Sequence, residues 1–324
     1  MTERPTEIPT ESPTETPTAL VTGAAGFIGS NLADVLVDRG YTVRGIDNFS
    51  TGRHRNIAPL ADRDGFSFTE LDIRDADGVD AVMEGVDYVF HQAAVPSVPR
   101  SVEDPVTSTD ANCTGTATVL NAARNADVET AVVASSSSVY GSSEELPKAE
   151  SMEANPESPY ALSKYYTERL AIQCSELYDL DTVALRYFNV FGPRQDPEGE
   201  YAAVIPKFIE LIRGGDRPVI YGDGEQSRDF TYIDNVVQAN VLAAEGDATG
   251  VATNVACGGR ITINELCTRI NDVLGTDIDP IHDDPRPGDV RHSMADVTKA
   301  SAELGYEPTV EFQEGLERTV EWFK

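Results

Sequence analysis

Lysine is scarce in this sequence. Its 324 residues include only five, at Lys148, Lys164, Lys207, Lys299 and Lys324. Lysine plus arginine is 25 against 55 aspartates and glutamates, a net charge of -30. A surface that negative does not hold a nucleic-acid backbone by general attraction, and anionic lipid repels it. Cysteine is scarce too. Cys113, Cys174, Cys257 and Cys267 form no C-x-x-C pair and join no Cys/His cluster. No metal site is therefore expected, and scattered thiols point to a reducing compartment, hence the cytoplasm. No stretch approaches ~18 uninterrupted apolar residues, so no membrane-spanning helix is expected. Met1 to Pro17 is mostly threonine, proline and glutamate. It lacks the apolar and basic regions of a secretory signal and reads as a disordered acidic tail.

Apolar residues are not lacking. They make up 40% of the chain, enough for a sizeable core. The acidic, lysine-poor composition reads as salt adaptation, with an ordinary acidic cytosolic protein as the alternative. Short apolar runs alternate with helical patterns from Ala19 to Leu185. The runs are Ala19–Val21, Tyr41–Ile46, Phe66–Leu71, Tyr88–Phe90, Ala131–Ala134 and Thr182–Leu185. Phe27 to Gly40, Asp104 to Asn125 and Pro159 to Tyr178 read as helices. Such alternation predicts a parallel sheet covered on both faces. After about Asn189 short elements mix with glycine, proline and charge. Thr262-Ile263-Asn264-Glu265 predicts a capping box opening a helix to Leu274. The expected layout is a tail over 1–17, an α/β domain over 18–188, and a smaller lobe over 189–324 with segments returning to the main sheet.

Thr22-Gly23-Ala24-Ala25-Gly26-Phe27-Ile28-Gly29 follows a strand and opens a helix. Gly23 suits a tight turn, Gly26 a close approach to a pyrophosphate, and Gly29 close packing of helix and strand. The helix N-terminus adds N–H groups and a positive dipole end. The spacing is G-x-x-G-x-x-G, and alone it signals little. Asp47 strengthens it, because a carboxylate ending the second strand suits the adenosine ribose and repels a 2′-phosphate. NAD is thus expected over NADP. Arg53 lies too far along to reverse that preference.

Tyr160 and Lys164, in Ser158-Pro159-Tyr160-Ala161-Leu162-Ser163-Lys164, share a helix face at i and i+4. A free tyrosine titrates near ~10. A nearby ammonium and a cationic nicotinamide would lower that value and make the phenol a general base. A surface pair fits the same spacing. Ser135-Ser136-Ser137-Ser138-Val139-Tyr140-Gly141 ends the fifth strand, where side chains face the ligand crevice. A serine there can donate to a substrate oxygen and relay its proton toward Tyr160.

With these motifs stand IDNFSTG, DIRD, HQAA, RYFNVFGPRQ, GDGEQSRDFTYIDN and RPGDVRHSMAD. Together they resemble the extended short-chain dehydrogenase/reductase superfamily, and within it the NAD-dependent nucleotide-sugar 4-epimerases, from about Thr18 to Phe323. The resemblance implies a Rossmann-type α/β fold, a doubly wound parallel sheet with a smaller C-terminal substrate lobe. It implies bound NAD, held by Gly23, Gly26, Phe27, Ile28, Gly29, Asp47, Asn48, Asp72, Ile73, Gln92, Ala93, Ala94, Tyr160 and Lys164. It assigns the catalytic hydroxyl to Ser136, beside Ser137. It places Asn189 and Arg228 on the substrate diphosphate and Arg286 and Asp289 on uridine ribose and phosphate. Gln195, Ser97 and Arg100 join that substrate set.

The implied reaction is epimerisation. Tyr160 takes the sugar 4-OH proton, the C4 hydride passes to NAD, the 4-keto sugar turns over, and the hydride returns to the other face. Similar dehydratases carry an Asp-Glu pair after the catalytic hydroxyl, and decarboxylases carry a Glu just before VYG. Here those positions are Ser137 and Ser138, which disfavours C5 chemistry. A non-catalytic NAD-binding sensor is the reading from another class. Family resemblance further implies a homodimer through the 104–125 and 159–178 helices. It also implies a gate at the sugar C2 substituent, four residues after Asp289, where Ser293 leaves room for an N-acetyl group. UDP-N-acetylglucosamine and UDP-N-acetylgalactosamine are therefore favoured over UDP-glucose or UDP-glucuronate.

Overall fold

Seven strands form the main sheet: β1 (Thr18–Thr22), β2 (Thr42–Asp47), β3 (Phe66–Glu70), β4 (Tyr88–His91), β5 (Thr130–Ser136), β6 (Asp181–Tyr187) and β7 (Val251–Val255). Their order is β3-β2-β1-β4-β5-β6-β7, and every neighbouring pair is parallel. This computed structural model describes residues 16–198, 202–285 and 290–324. The expected tail lies outside the described residues except for Thr16 and Pro17. The Pro17 carbonyl already accepts the Thr42 N–H at 2.9 Å.

The central strands β1, β4, β5 and β6 are buried on both faces, which is why they read as nearly unbroken apolar runs, whereas the edge strand β3 is largely exposed and alternates Phe66 and Phe68 with polar residues. Ala19 and Val21 pack into one core, Leu20 into the other. The first core takes Leu32 and Leu36 of helix α1 (Phe27–Asp38). Later in the chain lie the short helices α2 (Val98–Glu103) and α3 (Pro105–Thr109), then α4 (Gly115–Asn125) and α5 (Pro159–Leu177). Val119 and Leu120 of α4 and Ala171 of α5 pack into the second core. Helix α6 (Ile233–Glu245) returns to the first core through Ile233 and Val236. Each such buried valine, leucine or isoleucine contributes about 1.5–3 kcal/mol of transfer free energy.

The single helix expected over 104–125 is interrupted. Asp104 caps α3, accepting the Thr107 N–H at 3.0 Å. A π-turn over Asp110–Thr114 then joins α3 to α4. It turns Asn112 inward, where the side chain accepts the Val95 N–H at 2.7 Å and donates to Ser163 at 2.9 Å. Apolar periodicity carries no trace of one extra residue in a turn.

The second half supplies short pairings at one end of the sheet. Val190–Phe191 pairs with Thr231–Tyr232, and Ser227–Arg228 with Ile261–Thr262. Helix α7 (Ile263–Leu274) opens with the expected capping box of Thr262 and Glu265. One strand of this half, β7, joins the main sheet beside β6.

Candidate active site

Strand order reverses between β1 and β4, so the crevice of this open sheet lies beyond their C-terminal ends. β1 runs into a turn at Gly23, whose φ is +70°. A Cβ there would stand 2.8 Å from the Ala93 backbone. A Cβ on Gly29 would collide with the Gly23 carbonyl, so helix α1 touches its own turn backbone to backbone. Gly26 is the N-cap of α1; no side chain caps that end, and its first turn holds no acidic residue. The first-turn N–H groups of α1, which include Phe27 and Ile28, are therefore left for an anion.

Asp47 ends β2 and is buried. Its carboxylate accepts the Ala25 N–H at 3.0 Å and the Phe49 N–H at 2.7 Å. Burial pushes the carboxyl pKa up, and these bonds pull it back. A Cβ on Gly52 would come within 2.8 Å of both carboxylate oxygens. Uncapped N–H groups, a glycine cradle and a buried carboxylate one strand away form a donor set that fits a dinucleotide. The Arg53 guanidinium lies on Asp196 at 2.8 Å, together with Arg55 at 3.0 Å.

Further along the crevice, Asn48 donates to Asp72 at 2.9 Å. Arg74 forks the same carboxylate and reaches Asp110 at 2.7 Å, holding Asp72 well below the usual range. Ile73 is buried against Gly115. Gln92 is clamped from both sides: its amide donates to Asn240 at 2.9 Å and accepts from the Tyr187 hydroxyl at 3.2 Å. The Ala93 N–H donates to the Thr22 hydroxyl at 3.1 Å. Ala94, next in the chain, is half-buried.

Ser158 caps α5 and sets the helix start. Ser136, at the end of β5, stands beside the Tyr160 phenol and lowers its pKa. Ser136 also accepts the Ser138 N–H at 3.1 Å. Ser137 begins the short turn that follows. Lys164 is buried, and its Nζ donates to the Ala134 carbonyl at 2.9 Å. Desolvation lowers its pKa to about 8. The phenol of Tyr160 differs from expectation. Burial raises its pKa and the neighbouring Ser136 hydroxyl lowers it. The i, i+4 spacing places Tyr160 and Lys164 on one face, but the ammonium satisfies itself on a strand carbonyl.

Ser97 caps α2 by accepting the Arg100 N–H at 3.2 Å. That helix carries Ser101, whose buried hydroxyl accepts the Tyr160 N–H at 3.1 Å. Ser101 escaped the sequence reading, since a serine mid-helix has no distinguishing pattern.

β6 ends at Tyr187, the register partner of Ser136, and Asn189 follows two residues later. Asn189 has φ +34° and donates to the Asp229 carbonyl at 3.1 Å. Gln195 donates to the Val190 carbonyl at 3.1 Å, and its Oε1 is buried with no partner among the described residues. The Arg228 guanidinium donates to the Ser227 carbonyl at 2.9 Å. The Ser293 N–H donates to that carbonyl too, at 3.0 Å, so Arg228 and Ser293 stand together. Arg286 and Asp289 lie outside the described residues. Asp229 was not foreseen. Its buried carboxylate accepts the N–H groups of Cys257, Gly258 and Ala295, each at 3.1 Å, and burial pushes its pKa up to about 6.

Residues 19–257 match the model of the NAD dependent epimerase/dehydratase family. The chain belongs to that family. It is an enzyme of this class, and NAD is its cofactor. A UDP-glucose 4-epimerase of Mycolicibacterium smegmatis is 42% identical over 94% of this chain and 98% of its own length. A UDP-N-acetylglucosamine 4-epimerase of Methanobrevibacter ruminantium, solved with UDP-N-acetylmuramic acid, superposes with a TM-score of 0.92 at 43% identity, covering 96% of this chain and 99% of that one. A Thermotoga maritima UDP-glucose 4-epimerase, solved with UDP-glucose, gives 0.90 at 38%, covering 94% and 98%. Among the described residues no group of side chains is spaced to hold a metal ion, and no helix is long and apolar enough to cross a membrane.

Proposed function

We propose that this family member is a UDP-sugar 4-epimerase, with UDP-N-acetylglucosamine and UDP-N-acetylgalactosamine its preferred pair. The observation that carries the reading is Tyr160 beside Ser136 at the end of β5, with a buried Lys164 one turn on and serines at the two positions that follow Ser136. Tyr160 is the base for the 4-OH proton, and Ser136 is the hydroxyl that donates to the same sugar oxygen. Lys164 anchors the helix end to β5. When bound, NAD supplies the hydride acceptor for sugar C4 and a positive charge that favours the phenolate. The α1 N-terminus and Asp47 hold it. Hydroxyl groups at Ser137 and Ser138 cannot move a C5 proton as a carboxylate would, which favours epimerisation over dehydration.

Asn189, Gln195, Arg228 and Ser293 form the substrate side, with Arg286 and Asp289 assigned by resemblance. The unpartnered Gln195 oxygen supports this, because a buried acceptor left bare costs about 1–3 kcal/mol until something donates to it. Ser293 is the gate at the sugar C2 substituent. The N-acetylglucosamine epimerase among the relatives supports that choice, and the two UDP-glucose epimerases support its alternative. The lobe boundary near 188–189, a cytoplasmic setting and a salt-adapted surface belong to the same proposal. So does a homodimer, supported by exposed Val102, Val106, Leu162 and Tyr166 on α2, α3 and α5.

The test is a panel of UDP-sugars incubated with the protein and separated by chromatography. Ser293→Tyr should abolish conversion of UDP-N-acetylglucosamine and spare UDP-glucose, since overpacking costs roughly 1–3 kcal/mol or more. Wild-type conversion of UDP-glucose without any of the N-acetylated sugar would overturn the gate and leave the epimerase standing.

A further inference from the structure

A row of polar side chains runs through the interior of the sheet. Ser135, Arg186 and Asn254 are register partners across β5, β6 and β7, so they project on one face. All three are buried. Glu168 of α5 meets them, one turn beyond Lys164 and two beyond Tyr160 on the same helix face. Its Oε2 accepts the Ser135 hydroxyl at 2.9 Å and Arg186 Nε at 2.8 Å; its Oε1 accepts Arg186 Nη2 at 2.6 Å. Arg186 Nη1 donates to the Tyr140 hydroxyl at 2.8 Å, which donates to Asn254 Oδ1 at 2.7 Å. Asn254 Nδ2 donates to the carbonyls of Lys148 at 2.8 Å and Asp296 at 3.0 Å.

Stability alone does not account for this row. Desolvating two buried charges costs about what their attraction returns, and an apolar cluster would hold the sheet as well. What apolar side chains lack is direction. Lys164 grips the Ala134 carbonyl and Glu168 grips the Ser135 hydroxyl, so α5 fixes the two residues before Ser136. Tyr140, four residues after Ser136, is fixed by Arg186. Ser136 is therefore bracketed on both sides by one ion pair. At its far end the network reaches Lys148, whose N–H donates to the Met294 carbonyl at 2.7 Å, next to Ser293.

We propose that Glu168, Arg186 and Tyr140 are positioning residues that hold the Ser136 hydroxyl in place for Tyr160, with Asn254 tying that alignment to the segment beside Ser293. The inference rests on the epimerase reading for its kinetic test but not for its titration test. Ser135→Ala and Tyr140→Phe each remove one hydroxyl and leave the ion pair. With any UDP-sugar the wild type converts, both should lose kcat about tenfold, with KM, NAD content and Tm close to wild type. Ser135→Thr, which keeps the hydroxyl, should recover much of the loss. Without substrate, the Tyr160 phenol should titrate higher in both variants, read as the absorbance difference from the same protein carrying Tyr160→Phe. Kcat within twofold of wild type, or an unmoved Tyr160 titration, overturns the proposal. Failure of both variants to fold overturns it too, because the row would then be structural. Absence of any wild-type conversion, with the titration moved, would count against the epimerase reading alone.

Discussion

On the cofactor side of the crevice the decisive features are gaps and N–H groups. On the substrate side they are side chains held by other side chains. Gly23, Gly26 and Gly29 matter for the atoms they lack, and α1 matters for donors that nothing caps. Asn189, Arg228 and Asp229 instead depend on partners tens of residues away, at Cys257, Gly258, Arg291 and Ala295. A local backbone device tolerates no added atom but needs few neighbours. A side-chain lattice can be re-cut without touching the cofactor, which is the role proposed for Ser293. On the proposed reading, the cofactor is fixed by the fold while the sugar is open to a few substitutions.

The largest effect should come at the junction of the two sides. Tyr160→Phe keeps the ring and removes the proposed base, so turnover should fall by about 10³-fold or more while NAD and UDP still bind. Steady-state rates set against binding by calorimetry would check this; more than about a tenth of wild-type turnover would remove Tyr160 from the role.

Gly29→Ala attacks the cofactor side alone. The new Cβ meets the Gly23 carbonyl, which is backbone and cannot rotate away. NAD affinity should drop at least tenfold, with UDP binding nearly intact. Equal loss of both ligands would erase the contrast between the two sides.

Asp229→Asn is the converse. The carboxylate accepts three N–H groups at 3.1 Å, and an amide offers one oxygen and two unwanted donors. UDP affinity should fall severalfold with NAD unchanged. The sign of the pH effect follows from linkage. Burial raises the folded-state pKa to about 6, above the ordinary carboxyl value. Between those values the folded state holds more protons than the unfolded one. This group's contribution to stability is thus full at low pH and is lost as pH rises through about 6. Urea unfolding of wild type and variant across that window should differ in slope, the wild type losing more stability than the variant as pH rises.

Salt should act on both sides and least selectively. With a net charge of -30, screening to a Debye length of about 3 Å at 1 M relieves self-repulsion. Tm should rise by several degrees from low to molar potassium chloride. A flat or falling Tm would remove the salt-adapted reading.

Much of the cofactor half was legible because it is local. The strand, glycine turn and helix lie within about twenty residues, and Asp47 ends the very next strand. Tyr160, Lys164 and the serine run were legible for the same reason, as an i, i+4 pair and a strand end. Their electrostatics were not. Nothing in the spacing shows that Lys164 turns to the Ala134 carbonyl rather than to the phenol. The π-turn at Asp110–Thr114 was hidden because a helix with one extra residue keeps nearly the same apolar pattern.

The sequence by itself determined the alternation of strands and helices, the phosphate loop, the family and the acidic surface. Each of these is encoded in neighbours or in composition. Only the tertiary structure decided that Ser135, Arg186 and Asn254 stand in one row, that Glu168 closes it, and that Asp229 stitches three loop segments together. Those facts depend on strand register and on desolvation. Register joins residues roughly fifty to seventy positions apart. Desolvation makes a carboxylate's position consequential only once the chain around it has closed.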